Sequence, residues 1–102
     1  MRIIGGKFKN KKILLPTDDK TRPLKDMVRE SIFNIIEHSN LFKNKVLSSS
    51  VLDLYSGSGS FGLECLSRGA SKVVFCESYL PAYKILKKNL NSLNCPDQIE
   101  LF

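Results

Sequence analysis

Asp53-Leu54-Tyr55-Ser56-Gly57-Ser58-Gly59-Ser60-Phe61-Gly62 constrains this chain more than any other stretch. Val51-Leu52-Asp53-Leu54-Tyr55 reads as a short apolar strand, and the glycine-rich turn Ser56 to Ser60 opens a helix of about two turns up to Arg68. Glycines at 57, 59 and 62 have the spacing G-x-G-x-x-G. Such a loop lets the backbone turn sharply off a strand and approach a ligand without Cβ clashes. The helix behind it offers free N–H groups at its start. Gly69 stands where a helix end needs a residue tolerant of positive φ. Val73-Val74-Phe75-Cys76-Glu77 is a second apolar strand, and Glu77 at its end can accept hydrogen bonds from two ribose hydroxyls.

The rest of the rear section repeats the alternation. Pro81 suits the first turn of a helix on which Ala82, Leu86, Leu90 and Leu93 share a face. Lys84, Lys87, Lys88 and Asn91 lie toward the other side. Ile99 to Phe102 begins a third strand. Strand–helix–strand–helix–strand predicts right-handed crossovers and a parallel sheet. Such sheets are covered by helices on both faces, whereas these helices suffice for little more than one. The expectation is an α/β, Rossmann-like fold cut short at about the start of its third strand.

The front section differs in charge. Residues 1–45 hold eleven Lys/Arg and five Asp/Glu, a balance of +6, while residues 46–102 hold five of each. Arg2, Lys7, Lys9, Lys11 and Lys12 are basic with no acid among residues 1–12. A polyanion is attracted by such a patch through counterion release, and a solvated lysine face explains the same charge. Arg2-Ile3-Ile4 and Ile13-Leu14-Leu15 flank the polar middle, which suggests a β-hairpin. A helix is predicted from about Leu24 to His38, with Met27, Val28, Ile32, Ile35 and Ile36 on its apolar face. The division expected is a basic extension, 1–45, and an α/β part, 46–102, separated near Ser48-Ser49-Ser50.

Several classes are disfavoured. No apolar run approaches the roughly 18 residues of a membrane span. The opening lacks a signal-peptide core, so the chain is expected in the cytoplasm. Cys65, Cys76 and Cys95 are widely spaced and His38 is the single histidine, so no zinc site is expected and the thiols read as buried or half-buried.

The glycine spacing and acidic strand end also occur in nicotinamide dinucleotide sites, and a bare strand–helix turn needs no ligand at all. Asp53, four residues before Gly57, and the long polar loop between them favour S-adenosylmethionine, whose cationic methionine amine suits a carboxylate.

Arg2-Ile3-Ile4-Gly5-Gly6-Lys7, Thr21-Arg22-Pro23, Val28-Arg29-Glu30-Ser31-Ile32-Phe33-Asn34 and the loop 53–62 together resemble the bacterial 16S ribosomal RNA guanine-N2 methyltransferase family of the D type. The resemblance implies a class I S-adenosylmethionine-dependent methyltransferase fold with an N-terminal β-hairpin. It implies methyl transfer to the exocyclic N2 amine of a guanine, with ribosomal RNA or the assembling small subunit as partner and a monomeric state. It makes Asp53, Tyr55, Gly57, Gly59, Glu77 and Tyr79 the donor-binding candidates, and Arg2, Lys7, Lys9, Lys11, Lys12 and Arg22 the RNA-binding ones. Arg29 and Glu30 read as an ion pair. Leu24 stands where the family often has threonine, and Ser78-Tyr79 follows Glu77 where an acid is common. The family's catalytic Asp/Asn-Pro-Pro-aromatic motif is missing, since no Pro-Pro occurs in the chain. The resemblance therefore implies that these residues alone are inactive. A non-catalytic RNA-binding domain, another nucleic-acid amine methyltransferase and a nicotinamide oxidoreductase fragment remain as alternatives.

Overall fold

The computed structural model describes residues 1–17, 25–40 and 45–102. Arg22 and Leu24 lie outside the described residues.

The elements are α1 (Asp26–His38), β1 (Ser50–Asp53), α2 (Ser60–Ser67), β2 (Lys72–Phe75), α3 (Leu80–Asn91), a 3-10 turn (Pro96–Gln98) and β3 (Ile99–Leu101). The three strands form a parallel sheet in the order β1-β2-β3. Asp53 is in register with Phe75, and Phe75 with Leu101. The expected Rossmann-like α/β alternation is present. Gly69 has φ +101°, as its position after α2 requires.

Val73 and Phe75 point to the same face of the sheet and are fully buried. A Cβ on Gly62 of α2 would lie 2.3 Å from the Phe75 ring, so α2 lies directly on that face. Leu86 of α3 joins the same core. On the opposite face Leu52 is 60% exposed, so the described helices cover one face of the sheet.

The front section shares this core through Ile3, Ile13 and Phe33. Phe33 of α1 stacks on Phe61 of α2, with ring centroids 5.1 Å apart. The predicted hairpin is reduced to one antiparallel bridge, Arg2 to Lys12. Ile3 N–H donates to the Lys11 carbonyl and Ile13 N–H to the Met1 carbonyl, while residues 5–10 turn compactly between them. Strand pairing stops there because the intervening backbone bonds to α2 instead.

Helix α1 presents a different face from the one periodicity suggests. Met27 is 81% exposed, and Val28 and Ile35 are also exposed. The buried residues are Arg29 and Phe33. The helix turns to bury the Arg29 guanidinium, whose Nη2 donates to the Arg2 carbonyl and to Asp26, and whose Nε faces Glu64. Lys45 closes the helix by donating to the Ile36 and Ser39 carbonyls.

Gly6 and Gly5 separate two effects. A Cβ on Gly6, at φ +78°, would lie 1.9 Å from the Ser67 carbonyl oxygen; one on Gly5 meets only the Arg68 side chain, 3.2 Å away. Gly6→Ala is expected to destabilise the chain by at least ~2 kcal/mol, and Gly5→Ala by less than ~1 kcal/mol, in denaturant melts.

Candidate functional site

The loop after β1 is tied to the end of β2. Cys76 N–H donates to the Asp53 carbonyl at 2.9 Å, and Ser56 N–H to the Cys76 carbonyl at 3.0 Å. The Ser56 hydroxyl donates to the Asp53 carbonyl and accepts from Cys76 N–H. Gly59 N–H returns to the Ser56 carbonyl before α2 begins. Gly59 is at φ +92°, and a Cβ there would lie 2.6 Å from a Leu86 methyl carbon. Only glycine fits both the turn and its packing against α3.

Glu77 leaves the carboxyl end of β2 and braces this loop. Its Oε1 accepts Gly57 N–H and its Oε2 accepts Tyr79 N–H, each at 2.8 Å. Each carboxylate oxygen keeps a further lone pair for an outside donor. Beside it opens a cleft of about 430 Å³, lined by Leu54, Tyr55, Cys76, Glu77, Ser78 and Phe102. It lies beyond the carboxyl ends of the strands, where open α/β sheets bind ligands. Tyr55 is 93% exposed at its rim.

Asp53 lies on the α2 side of the sheet, and its Oδ2 accepts Gly62 N–H at 3.2 Å. Burial pushes its carboxyl above the ordinary aspartate value. The Gly62 N–H and the Ser56 hydroxyl offset this in part, and the Glu77 charge adds to it. Among the described residues no Lys or Arg forms an ion pair with Asp53. A half-buried carboxylate at the end of a strand, without a cation of its own, suits an ammonium group. Two hydroxyls on a ribose suit Glu77. The residues present therefore fit S-adenosylmethionine.

The structure thus brings Asp53, Gly57, Gly59 and Glu77 together around one loop, with Tyr55 and Tyr79 on its margins. Arg2, Lys7, Lys9, Lys11 and Lys12 are exposed on the N-terminal segment. Arg2 Nη1 donates to the Asn10 carbonyl, and Lys7 Nζ stands 5.0 Å above the Phe8 ring. Arg29 does not pair with Glu30. It is fully buried, bonds to Asp26 at 2.9 Å and faces Glu64 at 3.6 Å.

Cys65 is buried; Cys76 and Cys95 are half-buried. Burial, helped by the Asp53 and Glu64 charges, pushes the Cys65 thiol up to about 12, which makes it a packing group rather than a nucleophile. Among the described residues no group of His, Cys, Asp and Glu side chains could hold a metal ion, and no helix is long and apolar enough to cross a membrane.

Sequence reasoning missed Glu64, Ser67 and Asn89, all buried. Asn89 of α3 donates to the Ser58 carbonyl of the loop, and exchanges bonds with the N–H and carbonyl of Leu14. A signal for Glu64 existed. Helix α2 carries no other charge, and a helix apolar nearly all round is a buried one.

The family model described as conserved hypothetical protein 95 matches residues 1–102. The chain is similar to the ribosomal RNA small subunit methyltransferase D of Haemophilus influenzae, 37% identical over 98 residues. That match covers 96% of this chain and 48% of the relative. The Escherichia coli protein of the same name is 36% identical over 93 residues, covering 91% and 44%. The chain thus spans about half the length of these relatives. Among solved structures, the Escherichia coli putative methyltransferase yhhF superposes with a TM-score of 0.81 at 31% identity, covering 99% of this chain and 50% of that one. A hypothetical protein of Thermus thermophilus superposes with a TM-score of 0.76 at 25% identity, covering 99% and 53%.

A carboxyl whose value is raised in the fold subtracts stability once it ionises. Stability should therefore fall as pH rises from the ordinary aspartate value of 3.8 through the raised one. Asp53→Asn is expected to melt at or above the parent temperature at pH 7. The gap should close as pH drops toward 4, as followed by circular dichroism.

Proposed function

The chain belongs to the conserved hypothetical protein 95 family, and from that premise we propose that it is the donor-binding front part of a ribosomal RNA methyltransferase. The observation that carries this reading is the Glu77 carboxylate, braced against Gly57 N–H at the mouth of a cleft beyond the strand ends.

In this reading Glu77 holds the ribose hydroxyls of S-adenosylmethionine and Asp53 holds its methionine ammonium. Gly57 and Gly59 shape the turn that sets Glu77 beside the cleft, Tyr55 lines its wall, and Tyr79 follows where its N–H meets Glu77. The donor supplies a methyl group already activated on a sulfonium. The chain's own part is to bind and orient it, which is much of what such a transfer requires. Residues 46–102 carry this task on the core they share with residues 1–45.

Residues 1–45 hold RNA. Arg2, Lys7, Lys9, Lys11 and Lys12 present exposed cations, and Arg22, outside the described residues, adds to them by sequence. Cations spaced along a rigid turn favour a phosphate backbone. The acceptor is the N2 amine of a guanine in small-subunit ribosomal RNA, free or within an assembling particle. The reading is supported by the relatives named ribosomal RNA small subunit methyltransferase D, which match this half of their length. The protein acts in the cytoplasm as a monomer. The groups that orient the guanine are not among these residues, so the chain alone transfers no methyl group.

Titration calorimetry tests the donor site. S-adenosylmethionine is expected to bind and NAD to give no heat. Glu77→Ala should weaken donor binding by about tenfold to a hundredfold, the equivalent of roughly 1.5–3 kcal/mol. A chain that binds neither ligand, or binds NAD in preference, contradicts the reading. So does methyl incorporation into small-subunit ribosomal RNA by the 102-residue chain alone.

A further inference from the structure

Glu64, on α2, is a fully buried carboxylate with no access to the cleft. Its Oε1 accepts Ile4 N–H and its Oε2 accepts Gly5 N–H, each at 2.9 Å. Arg68 Nε donates to Oε2 at 2.8 Å, and Arg29 Nε of α1 stands 3.6 Å from Oε1. At the end of the helix Ser67 continues the grip. Its hydroxyl accepts Phe8 N–H at 2.9 Å and donates to the Gly5 carbonyl, and its own carbonyl accepts Lys7 N–H at 2.8 Å. Arg29 Nη2 donates in turn to the Arg2 carbonyl at 2.5 Å.

Residues 2–8 are thereby held by their backbone on the last turn of α2 and on α1. This is the segment that carries Arg2 and Lys7 and leads into Lys9, Lys11 and Lys12. Gly59 caps the start of the same helix, and Gly62 lies in its first turn. An eight-residue helix is about 12 Å long. Burying a carboxylate is unfavourable unless it is paired and hydrogen-bonded, and here two backbone N–H groups and two guanidinium groups meet that condition. What the carboxylate adds is direction, because it accepts two successive backbone N–H groups and fixes their orientation.

We infer that Glu64 is a positioning residue that holds the basic N-terminal segment at a set distance from the donor loop, so that RNA phosphates and the donor cleft are in register. The inference rests on the RNA-binding reading proposed above.

The test is the salt dependence of RNA binding by the full chain. The probe is a fluorescently labelled fragment of small-subunit ribosomal RNA, read by anisotropy at several potassium chloride concentrations. In Glu64→Gln the amide nitrogen must face a donor, either Ile4 N–H and Arg29 or Gly5 N–H and Arg68. The slope of log affinity against log salt is expected to fall by about one to two, while S-adenosylmethionine affinity is unchanged. Lys9→Ala should reduce RNA affinity in the parent chain and reduce it less in the Glu64→Gln background. A purely structural role would lower the melting temperature and leave the Lys9→Ala penalty intact. Should Glu64→Gln not fold, Ser67→Ala removes one anchor of the same segment and carries the same expectation. An unchanged slope and an unchanged Lys9→Ala penalty overturn the inference alone. Salt-independent or absent RNA binding by the parent chain overturns the RNA reading and this inference with it.

Discussion

Glu64 holds the front of the chain to its rear. Its negative charge lies in the core, where it is tolerable only because two backbone N–H groups and two guanidinium groups surround it. Each of those partners belongs to a different demand. The N–H groups come from the basic segment, Arg29 from α1, and Arg68 from the end of α2 itself. Removing the carboxylate would leave buried donors unmatched on three elements at once. The face of α1 follows from the same requirement. Arg29 must point inward, so Met27, Val28 and Ile35 turn outward although they are apolar.

The other end of α2 is fixed by different means. Gly59 and Gly62 let the loop and the helix approach Leu86 and Phe75 closely, and Glu77 and Asp53 accept the loop's N–H groups. Asn89 adds a third brace, joining Ser58 of the loop to Leu14 of the front section. Both acids of the candidate site thus brace the fold. Their backbone bonds fix both carboxylates in one orientation, which is the condition for a preorganised site.

Much of this was legible from residue order. The alternation of apolar strands with glycine, proline and helical spacing located β1, α2, β2, α3 and β3 within a residue or two. It also placed Asp53 and Glu77 at strand ends, because a carboxylate terminating an apolar run has little other place to go. Periodicity failed where a charge was buried. Arg29 read as the ion-pair partner of Glu30 and Glu64 was passed over, because a single sequence does not reveal that Arg29 and Glu64 meet across thirty-five positions. The hairpin is reduced to a single bridge for a related reason. Residues 4–8 satisfy their backbone on α2, through Glu64 and Ser67, rather than on the opposite strand. Asn89 was hidden among Lys87, Lys88 and Asn91, a polar run whose other members are exposed.

The central claim is that the loop from Asp53 to Gly62, with Glu77, is a site for S-adenosylmethionine. Nitrogen-15 amide spectra of the chain, recorded during titration with the donor, address it residue by residue. The account predicts saturable shifts at Gly57, Gly59, Gly62, Glu77 and Tyr79, with Lys9, Lys11 and Lys12 unmoved. Shifts confined to the basic segment, or none anywhere at saturating donor, would contradict it.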